Sequence, residues 1–426
     1  MNKNVKKPKN KSQGGKNMLI QFSVENYKSI RDELIINFST EKKNENGKWV
    51  IPDKKIASVY NCIGLIGPNA SGKTNIIDAL YFALKFIDRT ISRKENSSIS
   101  VDTFGFSEEY KNTPSSFEFI FVHNEVKYVY GFSITEKEVI EEYLMGYFTA
   151  KAKTIFERSE GQKFNFKGND VKQQSEISKK TNANRLYMPV AAEWGYEPAK
   201  KVRDWFDLMS RQYENFDIPM LIEKIFMEES KKKYFLEELQ KADFNIVDIY
   251  VEKERLGGSI FRHYIRYAES GQNIEKEQLE EINYRNKVII VHENSKGELF
   301  KIDLNNDSDG TYDIVSNLTE IMTLGQAGGL MLEDELGSNY HTKLTKYFLN
   351  ALASPKINPG NAQLFFASHD TKILNLLNPD QIYLVDKDDD GATFVTLLSD
   401  YQIRQGMDVE LGYLKGRFGG IPYMRG

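Results

Sequence analysis

Cysteine occurs once in 426 residues, at Cys62. That excludes a disulfide framework and any cysteine-based zinc cluster. Five histidines leave little material for a His-rich metal site. Mean hydropathy is −0.52, and no apolar run approaches the roughly 18–20 residues a membrane span needs. Behind the basic start, MNKNVKKPKNKSQGGKN, nothing has the form of a secretory signal. No heptad pattern persists over several turns, so long coiled-coil arms are not expected. Internal repeats are missing too. These absences point to a soluble, cytoplasmic chain with no membrane partner.

Charge is distributed unevenly. The formal net charge is −4, yet Lys3, Lys6, Lys7, Lys9, Lys11 and Lys16 fall in residues 1–17 without an acid. Taking those six charges from −4 leaves −10 for the rest. A mildly acidic body is not the footprint of a protein that coats nucleic acid. A local basic groove stays possible, and direct nucleic-acid binding is left open. Residues 1–17 are low in apolar side chains and are expected to form a disordered basic tail. Met18, where patterned sequence begins, is a candidate for the true start.

What is present is an alternation of strand and helix signals. Residues 19–26 and 33–39 read as strands joined by KSIRD, and 60–66 as a short buried strand. From Lys73, apolar residues Ile76, Ile77, Leu80, Ala83 and Phe86 recur at helical spacing. Residues 89–116 read as loop. Strands are expected at 117–123, 126–134 and 138–147, and loop at 159–182. Helices follow at 193–209 and 217–241, then strands at 245–252, 260–267, 287–293 and 298–304. The C-terminal part gives an apolar run at 328–334, strands at 362–367, 381–386 and 393–398, and helices at 340–352 and 370–377. Mixed strands and helices around a phosphate loop indicate an α/β architecture.

Four segments carry chemistry. GPNASGKT, Gly67 to Thr74, matches G-x-x-x-x-G-K-[ST] in full, between an apolar strand and an amphipathic helix. Small residues such as Gly67 and Gly72 let backbone N–H groups curl around a phosphate, and the helix N-terminus adds positive charge. Lys73 then reaches the β- and γ-phosphates of ATP, and the Thr74 hydroxyl ligates Mg²⁺. The second segment, GGLMLEDEL (328–336), ends an apolar run in Glu333, Asp334 and Glu335. Asp334 is assigned to the metal and Glu335 to polarising the attacking water. The third, LFFASHDT (364–371), ends a strand in Ser368-His369-Asp370, with His369 placed to sense a γ-phosphate. The fourth, NNDSDGTYD (305–313), reads as a helix cap with Ser308 or Asp309 as N-cap.

These segments, in this order, resemble the ABC-type ATPases of chromosome maintenance and break repair. More narrowly, they resemble the compact AAA-labelled ABC-like ATPases of bacterial phage-defence and abortive-infection systems, the AbiLi and AriA kind. The opening FSVENYKSIRDEL, FERSEGQKF (156–164), SDGT (308–311), EDEL, ASHDTKIL and the closing GYLKGRFGGIPYM (412–424) contribute to the likeness.

The resemblance implies a two-lobed SMC-type head with a mixed β N-lobe and a helical lobe, divided at 18–158, 159–304 and 305–426. It implies nucleotide contacts from Gly67, Asn69, Gly72, Lys73, Thr74 and Asn75, and from Ser308 and Gly310 across a homodimer or higher oligomer. Asp334 becomes the metal-side carboxylate, Glu335 the base, His369 the switch, and Lys28 a cation near the nucleotide. A partner effector from a neighbouring gene, RloB-like or TOPRIM-type, is implied as well. Three departures stand out. No glutamine lies between Asn75 and Gly161, and Phe104-Gly105-Phe106 occupies that region instead. The signature is SDGT, and Gly337 stands where relatives commonly have aspartate.

Three other readings compete. A DNA-repair or recombination ATPase fits the acidic, arm-free chain less well. A fused nuclease would need more than the 28 residues after the last expected strand, and Asp386, Asp388, Asp389 and Asp390 read better as a hairpin turn. A nucleotide-locked scaffold that barely hydrolyses is separable by turnover.

Overall fold

The computed structural model describes residues 17–40, 50–51, 56, 58–167, 170–210, 217–241, 245–255, 284–338, 342–404 and 406–419. Most of the basic tail, the strand expected at 260–267 and the last residues of the closing segment lie outside the described residues. The chain divides into two compact units. One comprises Met1–Arg211, Leu324–Leu336 and Ala353–Gly426, the other Gln212–Thr323 and Gly337–Leu352.

A five-stranded sheet organises the first unit. In spatial order its strands are Leu330–Glu333, Gln363–Ser368, Cys62–Ile66, Ile382–Lys387 and Thr393–Leu397. The first four run parallel, and the last closes an antiparallel hairpin. Every residue of Cys62–Ile66 and Gln363–Ser368 is buried. Parallel strands covered on both faces need such continuous apolar runs. Helix Lys73–Arg89 buries Ile76, Ile77, Leu80, Ala83 and Phe86. Its Phe82 and Phe86 meet Phe117 and Phe132 at ring-centroid distances of 5.5 and 5.7 Å.

Phe117 and Phe132 belong to a seven-stranded antiparallel sheet. Its order is Lys163–Phe166, Lys153–Ser159, Val139–Tyr147, Val126–Ile134, Ser115–His123, Met18–Glu25 and Leu34–Asn37. Asn124 and Glu125 turn the central hairpin with φ of 49° and 65°, the signature of a two-residue turn that follows strand twist. Residues 159–182, expected as loop, contain strand Lys163–Phe166 and helix Val171–Ser178. Phe164 and Phe166 both pack on Tyr187, and this distant contact outweighs the polar local composition. The boundary expected at residue 159 therefore falls inside this unit.

FERSEGQKF is structural in the same region. Arg158 and Glu142 are both fully buried, 3.6 Å apart. Glu142 also accepts hydrogen bonds from Tyr130 Oη and from the backbone of Tyr187 and Met188. Arg158 donates to the carbonyls of Ala183 and Arg185. A fully buried charge pair resists separation, which pins strand Lys153–Ser159 to the following helices, although Arg158 Nε has no hydrogen-bond partner among the described residues.

The second unit pairs helices Ile218–Phe226 and Glu229–Lys241 with a three-stranded antiparallel sheet, Ile246–Arg255, Tyr284–Glu293 and Leu299–Asp303. It also holds Thr342–Leu352 and most of Asp309–Ala327. The latter, at 19 residues, is the longest helix among the described residues, so no long coiled coil appears there. The helix expected at 217–241 is two helices, and the one at 370–377 is a 3₁₀ turn, Thr371–Asn375.

Candidate nucleotide site

Strand Cys62–Ile66 delivers the chain into a loop that enters its helix at Lys73. Two glycines there are sterically required. A Cβ on Gly67 would lie 2.3 Å from the Val385 carbonyl oxygen. Gly72 has φ +107°, and a Cβ on it would lie 2.0 Å from Thr393 Oγ1. Gly72 makes no side-chain cap, and the first helical turn holds no acid. The N–H groups of that turn thus have no acidic or capping side chain of their own to compete for them, as a helix N-terminus suited to an anion requires. Ser71 Oγ is buried with no hydrogen-bond partner among the described residues, a further donor inside the loop. Asn69 and Thr74 are exposed.

Lys73 is 5% exposed. Its Nζ donates to the carbonyls of Gly67 at 2.8 Å and Pro68 at 2.7 Å. Burial pushes its ammonium down to about 8, against the upward pull of Asp334 and Glu335. Both carboxylates are therefore close enough to act on it.

The strand order explains that convergence. The acidic strand Leu330–Glu333 lies two places from the phosphate-loop strand, with Gln363–Ser368 between. Glu333 is its half-buried last residue, while Asp334 and Glu335 emerge beyond it, exposed. Glu335 has φ +64°, a costly conformation for a residue with a Cβ. The backbone just after it is pinned: Leu336 N donates to Ala367 O at 2.9 Å, and Ser368 Oγ donates to Leu336 O at 2.7 Å. These bonds bring Glu335 Oε1 to 4.0 Å from His369 Nε2.

Thr74 and Asp334 offer the hard oxygen donors that Mg²⁺ takes together with phosphate oxygens and water. No group of three or more His, Cys, Asp or Glu among the described residues forms a metal cage. Asp388 and Asp390 of the 388–391 turn are otherwise engaged. Asp388 Oδ1 accepts from the N–H groups of Asp390 and Ala392, and Arg31 bridges Asp388 and Asp390 at 3.0 Å each.

Two residues expected at the nucleotide have other partners. Lys28 Nζ lies 2.5 Å from Asp78 Oδ2, which also accepts from Tyr27 Oη. Asn75 Nδ2 donates to Ser29 Oγ at 2.7 Å. These contacts belong to a buttress that the sequence reading missed. Thr393 Oγ1 donates to Ser71 O at 2.9 Å and lies 2.7 Å from Ser29 Oγ. Thr393 N donates to Ser29 O at 2.7 Å. Residues 364 positions apart thus grip the phosphate loop from outside.

Ser308 and Gly310 belong to the second unit. Ser308 Oγ accepts from Thr311 N at 3.1 Å and Asp309 is the first helical residue, so Ser308 is the N-cap. Asp307 accepts the Ser308 N–H and lies 2.8 Å from His292 Nε2. Gly337 has φ +86°, and a Cβ there would meet Thr345 Oγ1 at 2.7 Å, so an aspartate is strained at this position.

A phosphate loop on a central strand, one intervening strand and an acid-bearing strand beyond it define a P-loop α/β fold. The family model described as "AAA domain, putative AbiEii toxin, Type IV TA system" matches residues 62–375, about three-quarters of the chain, and the chain belongs to this family. Among solved structures it is similar to the SMC head domain from Thermotoga maritima, at 12% identity and a TM-score of 0.38, over 90% of this chain and 99% of that one. It is also similar to an SMC head bound to the C-terminal winged-helix domain of ScpA, at 13% identity and 0.36, over 89% and 96%. No curated protein matches the chain.

Proposed function

We propose that this protein is an ATP-hydrolysing switch that dimerises around nucleotide and regulates a partner effector in anti-phage defence. The observation that supports the enzymatic part best is the grouping of Lys73, Asp334, Glu335 and His369 at one end of a parallel sheet. Lys73 and the loop N–H groups bind the β- and γ-phosphates. Thr74 and Asp334 hold Mg²⁺, which neutralises phosphate charge when bound. Glu335 accepts the proton of the attacking water, and His369 orients Glu335 and senses the γ-phosphate. Ser308 and Gly310 of one copy close over the nucleotide held by the other.

The family description, which names a toxin of a toxin–antitoxin system, supports a defence role; the AbiLi or AriA kind is carried by the resemblance of the sequence motifs alone. The effector is an RloB-like or TOPRIM-type protein encoded nearby.

Mixing two inactive variants tests the shared site. In a mixed dimer of Ser308→Arg and Lys73→Ala, one composite site loses both elements and the other keeps both. ATPase activity should return to at most about half per mixed dimer, less if the sites are coupled. Absence of rescue, with subunit exchange shown independently, overturns the shared site and leaves Ser308 as a helix cap.

A further inference from the structure

Phe106 is 64% exposed, in the segment that takes the place of the glutamine loop. An exposed phenylalanine alone means little. This one is held rigidly. Its neighbour Phe104 is buried and donates its N–H to Asn26 Oδ1 at 2.9 Å. Gly105 N donates to Lys28 O at 3.2 Å. The Phe106 ring also leans on the buried Phe104 ring, with centroids 5.7 Å apart.

The ring is tied to both walls of the phosphate loop. A Cβ on Gly391 would meet it at 3.6 Å, and Lys387 Nζ lies 5.4 Å from its centroid. Gly391 is two residues from Thr393, which abuts Gly72, and Lys387 is two residues from Val385, which abuts Gly67. Val385 and Lys387 are alternate residues of one strand and so stand about 7 Å apart, which puts the ring beside the phosphate loop rather than within it. It lies at the carboxyl edge of the parallel strands, where ligands of open α/β sheets bind.

We propose that Phe106, backed by Lys387, is the platform on which the base of the bound nucleotide stacks. This rests on the phosphate-loop reading. Stacking on a π-face tolerates any base, so the platform adds affinity without choosing adenine over guanine.

Calorimetry on the full chain with Mg-ATP and with Mg-tripolyphosphate, which has phosphates but no base, separates the contributions. Phe106→Ala should bind ATP about ten-fold more weakly and tripolyphosphate as the wild type does. Phe106→Trp should keep ATP affinity. An unchanged ATP affinity in Phe106→Ala, or an equal loss for both ligands, overturns the platform. Lys73→Ala binding both ligands undiminished would instead break the phosphate-loop reading, and the platform with it.

Discussion

Gly72→Ala tests whether the phosphate loop is shaped from outside by Thr393. The substitution asks a residue with a Cβ to hold φ +107°; left-handed backbone costs roughly 1–2 kcal/mol. The new Cβ would also sit 2.0 Å from Thr393 Oγ1, so that hydroxyl must leave. Its bonds to Ser71 O and Ser29 Oγ go with it, at about 0.5–1.5 kcal/mol net each. Gly72→Ala should therefore cost about 2–5 kcal/mol. Thr393→Ala alone removes the same two bonds and should cost about 1–3 kcal/mol. In the double variant those bonds are lost only once and the collision with Thr393 is gone, leaving Ser29 Oγ 2.9 Å from the new Cβ. Its destabilisation should fall short of the sum by about 1–3 kcal/mol. Urea unfolding of the four proteins measures this directly. Additivity within about 0.5 kcal/mol would refute the buttress.

Four further outcomes follow from the site. Glu335→Gln should abolish turnover while Mg-ATP still binds, and Glu333→Gln should retain turnover; the opposite pattern would move the acidic register by two residues. Because the Lys73 ammonium is held down to about 8 and phosphate binding needs its charge, ATP affinity should weaken as pH rises past about 8; a flat profile to about pH 9.5 would contradict it. The same depression means that the unfolded chain binds more protons above about pH 8, so the Lys73 contribution to folded stability should rise with pH there. Lys28→Ala breaks a pair whose side chains are each a third exposed, so it should cost under about 1 kcal/mol and leave ATP affinity nearly unchanged; a ten-fold loss would return Lys28 to the nucleotide.

The parallel sheet was legible because its chemistry is local. A fully apolar strand, a glycine-bounded loop and a helical repeat from Lys73 specify the strand–loop–helix geometry within one stretch of chain. The acidic strand and the histidine strand are legible for the same reason: each is a short apolar run ending in polar residues. Residues 159–182 failed because the force that orders them comes from Tyr187, outside any window in which periodicity is read. The single helix expected at 217–241 failed differently. Its apolar spacing carries through, but the chain breaks between Phe226 and Glu229.

Asn75 and Lys28 show where motif reading stops. A motif fixes the backbone path, and with it where the loop N–H groups stand and where Lys73 and Thr74 enter the helix. It does not fix where a neighbouring polar side chain finds its partner. Asn75 follows Thr74 in sequence, yet its amide is drawn to Ser29, because Ser29 is held there by Thr393. Lys28 has a carboxylate on the phosphate-loop helix itself, Asp78, and a nearby opposite charge settles a flexible ammonium before any ligand arrives. The contacts that hold the loop in shape come from residues 29 and 393, near the two ends of the chain. Nothing in the loop's own eight residues encodes them, although the two positions where only glycine fits, Gly67 and Gly72, mark where the outside walls press closest.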